Sequence, residues 1–264
     1  MKSQLRYGAM LTIVAFMFAG CSSLGANGSS VSLDQEWQLG DQMAAQVAQQ
    51  VKLVHDPAAL AYVRSVGEKI HQQTPLANRP FDFEIVNDPS VNAFSLPGGH
   101  IYVNTGLIAQ ADRVDMLAGV IAHEISHVVH RDAIKQLEQQ QEINAVGSIL
   151  LGQNPGVLAQ LAAQIVAGGA MAKFSRQDEK SADDLGLELM TRAGYDPHGM
   201  VAMFQKLLAL EQSDPNAVAR FFADHPTAQS RIRDLQQKIA QMGNPTGIRN
   251  DPQYQVIRQR VMAG

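Results

Sequence analysis

His123-Glu124-Ile125-Ser126-His127 sets two imidazoles four residues apart, with a carboxylate next to the first. On an α-helix that spacing is just over one turn, so both rings leave the same face. Both can then reach one Zn²⁺ at about 2.0–2.1 Å. Glu124 leans over the same pocket, where it can act as general base toward a water on the metal. The residues just before the motif (Met116, Leu117, Ala118, Val120, Ile121) are apolar, so this helix is expected to be buried. Two histidines and a glutamate buried without partners are costly, and a metal ion that takes up the histidine lone pairs removes that cost. The plainer alternative is a surface helix carrying two histidines. His130 extends the series, but the downstream glycine and histidine of the longer metzincin pattern are absent. His130 is therefore read as a helix-surface residue or one behind the ligands.

A catalytic zinc takes three protein ligands and keeps one open position. No third histidine stands near the motif. Further on comes Ser175-Arg176-Gln177-Asp178-Glu179-Lys180-Ser181-Ala182-Asp183-Asp184-Leu185-Gly186. Glu179 and Asp183 are again four apart, so on a helix both carboxylates face one side. Glu179 can ligate while Asp183 orients a ligand imidazole. Alone, the pair equally fits an exposed acidic helix start; beside the first motif it supplies the ligand that a zinc site would otherwise lack. Cys21 is the single cysteine, which excludes an intrachain disulfide and a site built from several thiolates.

The elements that must position these groups can be read from periodicity. Helices are expected over 33–54, 58–71, 112–138 with Asp112 as N-cap, 179–193, 198–212 and 227–242. Residues 81–86 alternate as a strand, and Asn92–Leu96, Pro97-Gly98-Gly99 and His100–Asn104 read as strand, turn, strand. The apolar stretch 142–172 is broken at Asn154-Pro155-Gly156, so neither half spans a bilayer. It reads as a helical hairpin in the core, or as a flap or a face toward membrane or partner. Residues 243–264 are left unplaced as a C-terminal tail. The expected architecture is α+β, mostly helical with a small β-sheet, in one domain over 33–242.

The 264-residue chain carries a net charge of −4, with 45% hydrophobic and 17% charged residues. This excludes wholesale disorder and gives no basic excess for nucleic acid. Lys2 and Arg6 precede a 12-residue apolar run, Ala9–Gly20, too short for a transmembrane helix and suited to a cleaved leader over 1–20. Phe18-Ala19-Gly20-Cys21 resembles a bacterial lipoprotein signal, which makes Cys21 the lipidated N-terminus. Ser22 after it suggests an outer-membrane lipoprotein facing the periplasm. The alternative is an ordinary secreted protein with an incidental cysteine. Residues 21–32 are Ser/Gly-rich and read as a flexible tether.

Together these residues resemble the HtpX-like family of zinc metallopeptidases, of the gluzincin type, in its periplasmic lipoprotein branch, over roughly 33–242. Four blocks carry the resemblance: Asn92-Ala93-Phe94 with Pro97-Gly98-Gly99; His123-Glu124-x-x-His127; Ser175-Arg176-x-x-Glu179-x-x-Ala182-Asp183-x-x-Gly186; and Asp224-His225-Pro226 with Arg231. Ser181 departs from the pattern, where the family often has glutamate. The resemblance implies one Zn²⁺ per chain on His123, His127 and Glu179, with Glu124 as catalytic acid/base and Asp183 behind the ligands. It implies that His225 approaches the metal, either to polarise the substrate carbonyl or to cap the ion at rest; the alternative is a helix-entry histidine before proline. Asn92, Ala93, Phe94, Gly98 and Gly99 would present an edge along which an extended peptide pairs through its backbone. The implied activity is endopeptidase action on unfolded or misfolded envelope proteins. A zinc-binding, chaperone-like lipoprotein with little proteolysis is the alternative. Oligomeric state is open.

Overall fold

The computed structural model describes residues 30–139, 143–150, 152–166, 174–225 and 229–263. The leader, Cys21 and nearly all of the tether lie outside the described residues. Ser32 caps α1 (Leu33–Val47), its side chain accepting from Gln35 N while Gln35 reaches back to Ser32 N. Asp56 caps α2 (Pro57–His71) by accepting from Ala58 N and Ala59 N, with proline at N1. Helix α1 is shorter than the 33–54 expected from its apolar spacing. Residues 52–54 run extended instead, because they pair with the sheet.

That sheet has the order β1 (Asp82–Val86), β3 (His100–Asn104), β2 (Ala93–Ser95). Strand β3 runs parallel to β1 and antiparallel to β2. Its two edges differ. The outer side of β1 is covered: Val54 N donates to Ile85 O at 2.8 Å, Asn87 N to Lys52 O at 2.7 Å, and Arg64 Nε to Phe83 O at 3.1 Å. On β2, Leu96 N donates to His100 O and Asn104 N to Asn92 O, which puts Phe94 in a hydrogen-bonded pair with Tyr102. The alternation of an antiparallel ladder then points the N–H and C=O of Ala93 and Ser95 away from β3. No hydrogen bond among the described residues reaches those groups. These groups on the outer side of β2 have no strand partner, although Ala93 itself is fully buried.

The turn between β2 and β3 is a 3₁₀ turn, Pro97–Gly99, with positive φ at Gly98 (76°) and Gly99 (84°). Both glycines are buried. A Cβ on Gly98 would sit 2.9 Å from Trp37 Cα, and one on Gly99 2.9 Å from the Phe81 ring. They close the turn against α1 and the entry to β1, and so lie apart from the edge to which the sequence reading assigns them. Asn92 and Ala93 are buried too; only Phe94 and Ser95 are partly exposed.

Helix α3 (Thr105–Gln110) leads into α4 (Val114–His130), which is buried along almost its whole length. It packs against α8 (Arg176–Arg192) and α9 (His198–Ser213). The approach to α9 is close enough that a Cβ on Gly199 would lie 2.4 Å from the carbonyl carbon of Asp115. Two details differ from the expected 112–138 helix. Asp112 caps nothing; its carboxylate accepts from Lys206 at 2.7 Å and Arg258 at 3.1 Å, and Arg113 is the N-cap. The helix also stops at Arg131, which is left-handed (φ 59°, ψ 36°), and a separate α5 (Asp132–Gln139) begins there. A left-handed non-glycine residue costs about 1–2 kcal/mol. Arg131 is held in it by Nε to Glu36 Oε2 and Nη2 to Val31 O, both 2.6 Å.

Of the readings open for 142–172, the described residues give the core hairpin. Helices α6 (Ile143–Leu150) and α7 (Pro155–Val166) bury Val146, Ile149, Leu158, Leu161, Ala162 and Ile165 against a cluster with Leu39, Met43 and Val47 of α1. No helix among the described residues is long and apolar enough to cross a membrane. Past α8 and α9 come α10 (Pro215–Asp224) and α11 (Gln229–Gln241). The unplaced C-terminal stretch forms α12 (Pro252–Ala263), which buries Tyr254, Ile257 and Val261 in the main core. Tyr254 donates its hydroxyl to Ala111 O at 2.7 Å. The architecture is α+β, helical around a three-stranded sheet.

Candidate metal centre

Three segments converge beside β2. Helix α4 supplies His123, Glu124 and His127. Helix α8, capped by Ser175, supplies Glu179 and Asp183. His225 is the residue on which α10 ends. One donor atom each from His123, His127, Glu179 and His225 lies within 4.8 Å of all the others. His127 Nε2 is 3.1 Å from His123 Nε2, and His225 Nδ1 is 3.2 Å from His123 Nε2 and 2.9 Å from Glu179 Oε1. His127 Nε2 is 3.5 Å from Glu179 Oε1. Four donors set tetrahedrally at about 2.0–2.1 Å from an ion lie about 3.3 Å apart. None of these residues, nor Glu124, is more than 2% exposed.

The charges agree with the geometry. Glu124, Glu179, Asp132 and Asp183 are four buried carboxylates around the cluster. Among the described residues, Arg231 and Lys135 stand against them, Arg231 on Glu179 and Asp183 and Lys135 on Asp132. Two negative charges remain if the imidazoles are neutral, which a divalent cation balances; buried charge without such a partner is strongly disfavoured. The donor set and the charge therefore fit a divalent metal. Without one, the groups recruit protons. Burial disfavours the His127 imidazolium, yet its hydrogen bonds to Asp132 and Glu179 push its pKa up to about 10. His225 is likewise raised, the Glu179 and Glu124 carboxylates outweighing burial. Burial works against the Glu179 carboxylate, but the imidazoles of His225 and His127 hold it well below the usual range. Burial pushes His123 down despite its contact with Asp183.

A carboxylate stands behind each of the two rings of α4. Asp183 Oδ1 lies 3.1 Å from His123 Nδ1, and Arg231 grips Asp183 with Nε and Nη2, both at 2.7 Å. Asp132 Oδ2 lies 2.8 Å from His127 Nδ1. Phe174 stacks flat on the His127 ring, centroids 4.1 Å apart and planes 11° off parallel. Glu124 has two different oxygens. Oε2 accepts from Ser95 Oγ at 3.1 Å, while Oε1 is buried, makes no hydrogen bond and lies 3.4 Å from His225 Nε2.

All six residues that the sequence singled out by spacing or resemblance for this site (His123, Glu124, His127, Glu179, Asp183, His225) come together. Arg231, quoted only as part of a motif, joins them as the clamp on both acidic residues. Asp132, Ser95 and Phe174 were missed. Asp132 follows His127 by five, a spacing that in the expected unbroken helix faces elsewhere. Ser95 lies inside the block marked as the substrate edge without being singled out, and Phe174 stands in a segment with no marker of this chemistry.

Comparison with known proteins bears on the same residues. The chain is 29% identical to the beta-barrel assembly-enhancing protease of Escherichia coli (strain K12), over 99% of this chain and 58% of that protein. It is 26% identical to the metalloprotease LoiP of the same organism, over 87% of this chain and 95% of LoiP. It is 28% identical to the mitochondrial metalloendopeptidase OMA1 of Schizosaccharomyces pombe, over 79% of this chain and 62% of OMA1. The chain thus spans a little over half the length of the assembly-enhancing protease. The model of Peptidase family M48 matches residues 57–239, from the first turn of α2 to α11 and across every donor of the cluster, and the chain belongs to that family.

Proposed function

We propose that this chain is a zinc-dependent endopeptidase that cleaves unfolded or misfolded proteins of the cell envelope. The observation that carries it is the buried set of His123, His127, Glu179 and His225, whose donor atoms lie within 4.8 Å of one another, with Glu124 Oε1, which makes no hydrogen bond, beside it. His123, His127 and Glu179 are the permanent ligands in this reading. Zinc held there would lower the pKa of a water toward 7 and polarise the peptide carbonyl. Glu124 takes the proton from the attacking water on Oε1 and returns it to the departing amine, while Ser95 keeps Oε2 in place. Asp183 and Arg231 hold His123 and Glu179 in position. The outward N–H and C=O groups of the partly exposed Ser95 pair with the substrate backbone, which suits varied extended chains. Phe94 flanks that edge.

His225 is the fourth donor of a resting centre. What supports this is the position of its Nδ1, at ligand spacing from both His123 and Glu179. A catalytic site leaves one corner open, so His225 withdraws before substrate enters. The envelope assignment rests on the leader and on Cys21, whose acylation would hold the chain at the outer membrane on its periplasmic side. A relative named for enhancing beta-barrel assembly agrees with that compartment.

The test is bound zinc and casein hydrolysis for the wild type and Glu124→Gln. The wild type is expected to hold one zinc per chain and to cleave. Glu124→Gln is expected to keep the zinc and lose about 10²–10⁴-fold in turnover. Full activity in the variant removes the general-base role, and a wild type without stoichiometric metal removes the peptidase reading.

A further inference from the structure

We propose that Asp132 is a positioning residue for His127, and that the left-handed turn at Arg131 exists to deliver it. This rests on the metal-centre reading above. In a continuous helix each residue turns about 100°, so a residue five positions on lies about 140° away around the axis. An aspartate at that place on α4 could not reach its own histidine. Here the chain leaves the helix at Arg131 (φ 59°) and restarts at once as α5. That reversal brings Asp132 Oδ2 to 2.8 Å from His127 Nδ1, both side chains buried.

The hydrogen bond decides which nitrogen carries the proton. With the Nδ1 proton donated to Asp132, the Nε2 lone pair points into the cluster beside His123 Nε2 and Glu179 Oε1. Lys135 Nζ holds the other Asp132 oxygen at 2.9 Å, and the stacked Phe174 ring blocks rotation of the imidazole out of its plane. The turn itself is anchored from a different part of the chain. Arg131 is pinned by Glu36 of α1 and by Val31 O, so the strain at one backbone position is offset by contacts to a segment about a hundred residues away in sequence. A left-handed arginine with no glycine substituted for it, an aspartate delivered to a ligand and a buried ion pair fixing the turn form one device.

The test measures metal affinity by chelator competition on the full chain, with Co²⁺ replacing zinc so that its visible absorption bands report ligand geometry. Wild type, Asp132→Asn, Asp132→Ala and, as a control for lost stability, Ile134→Ala of the same helix are compared. Asp132→Ala is expected to weaken binding about 10–100-fold and to change the Co²⁺ bands. Asp132→Asn, which can still accept from Nδ1 but lacks the charge, should fall between it and the wild type. Ile134→Ala should lower thermal stability and leave affinity and bands unchanged. Affinity of Asp132→Ala within about threefold of wild type, or an equal loss in Ile134→Ala, overturns the proposal. A wild type that binds no metal would instead overturn the reading beneath it, so the two failures are distinguishable.

Discussion

His225 and Glu124 meet at 3.4 Å, and their chemistry pulls in opposite directions. In the proposed reaction Glu124 would need room for a water and a substrate carbonyl, and His225 stands on that side of it. Replacing His225 with alanine leaves three donors, enough to retain a metal. His225→Ala is expected to keep stoichiometric zinc and to hydrolyse casein several-fold faster than wild type. Zinc retained with activity lost would assign His225 to the reaction itself. Single residues are also where the sequence was most legible. Pairs four apart, His123/His127 and Glu179/Asp183, share a helix face whatever surrounds the helix. Groups brought in by tertiary structure were not legible: Ser95 reaches Glu124 from a strand, and Asp132 reaches His127 only because the helix breaks.

At the level of elements, helix α4 is fixed by the close approach of α9. Gly199→Ala would push a methyl group into the Asp115 backbone. It is expected to cost about 1–3 kcal/mol, seen as a lower denaturant midpoint with an unchanged slope. Helix α10, which ends on His225, is tied to the loop after β1 by Arg220 Nη1 on Asp88 Oδ2 at 2.6 Å. Asp88 is partly desolvated, which raises its pKa, but the Ser90 N–H and Arg220 bring it below the ordinary 3.8. A depressed carboxylate adds stability above its unfolded pKa, and that stability is lost as pH falls through the folded one. Asp88→Asn should therefore cost up to about 1 kcal/mol at pH 7, since the pair is half-exposed. The difference from wild type should shrink below about pH 4 in denaturation curves taken across pH. The long amphipathic helices and the strand–turn–strand were readable from periodicity. The stop at Arg131 was not, because neither glycine nor proline marks it; the cause is Glu36, far away in sequence. Helix α10 carries both a start signal, Asp214-Pro215, and a short period in Val218, Phe221 and Phe222; α12 carries Asp251-Pro252, but exposed Val256 and Met262 blur the period of its buried Tyr254, Ile257 and Val261.

Across the whole molecule, the four donors come from α4, α8 and the end of α10, and all are sealed from solvent. No ion can be exchanged through such a wall without a fluctuation that parts these segments. Loss of metal should then be governed by the frequency of that opening and not by the strength or amount of the competitor. Stripping by increasing EDTA should reach a plateau rate, and His225→Ala should raise the plateau. A rate that climbs linearly without limit would mean the ion is reachable in the folded state.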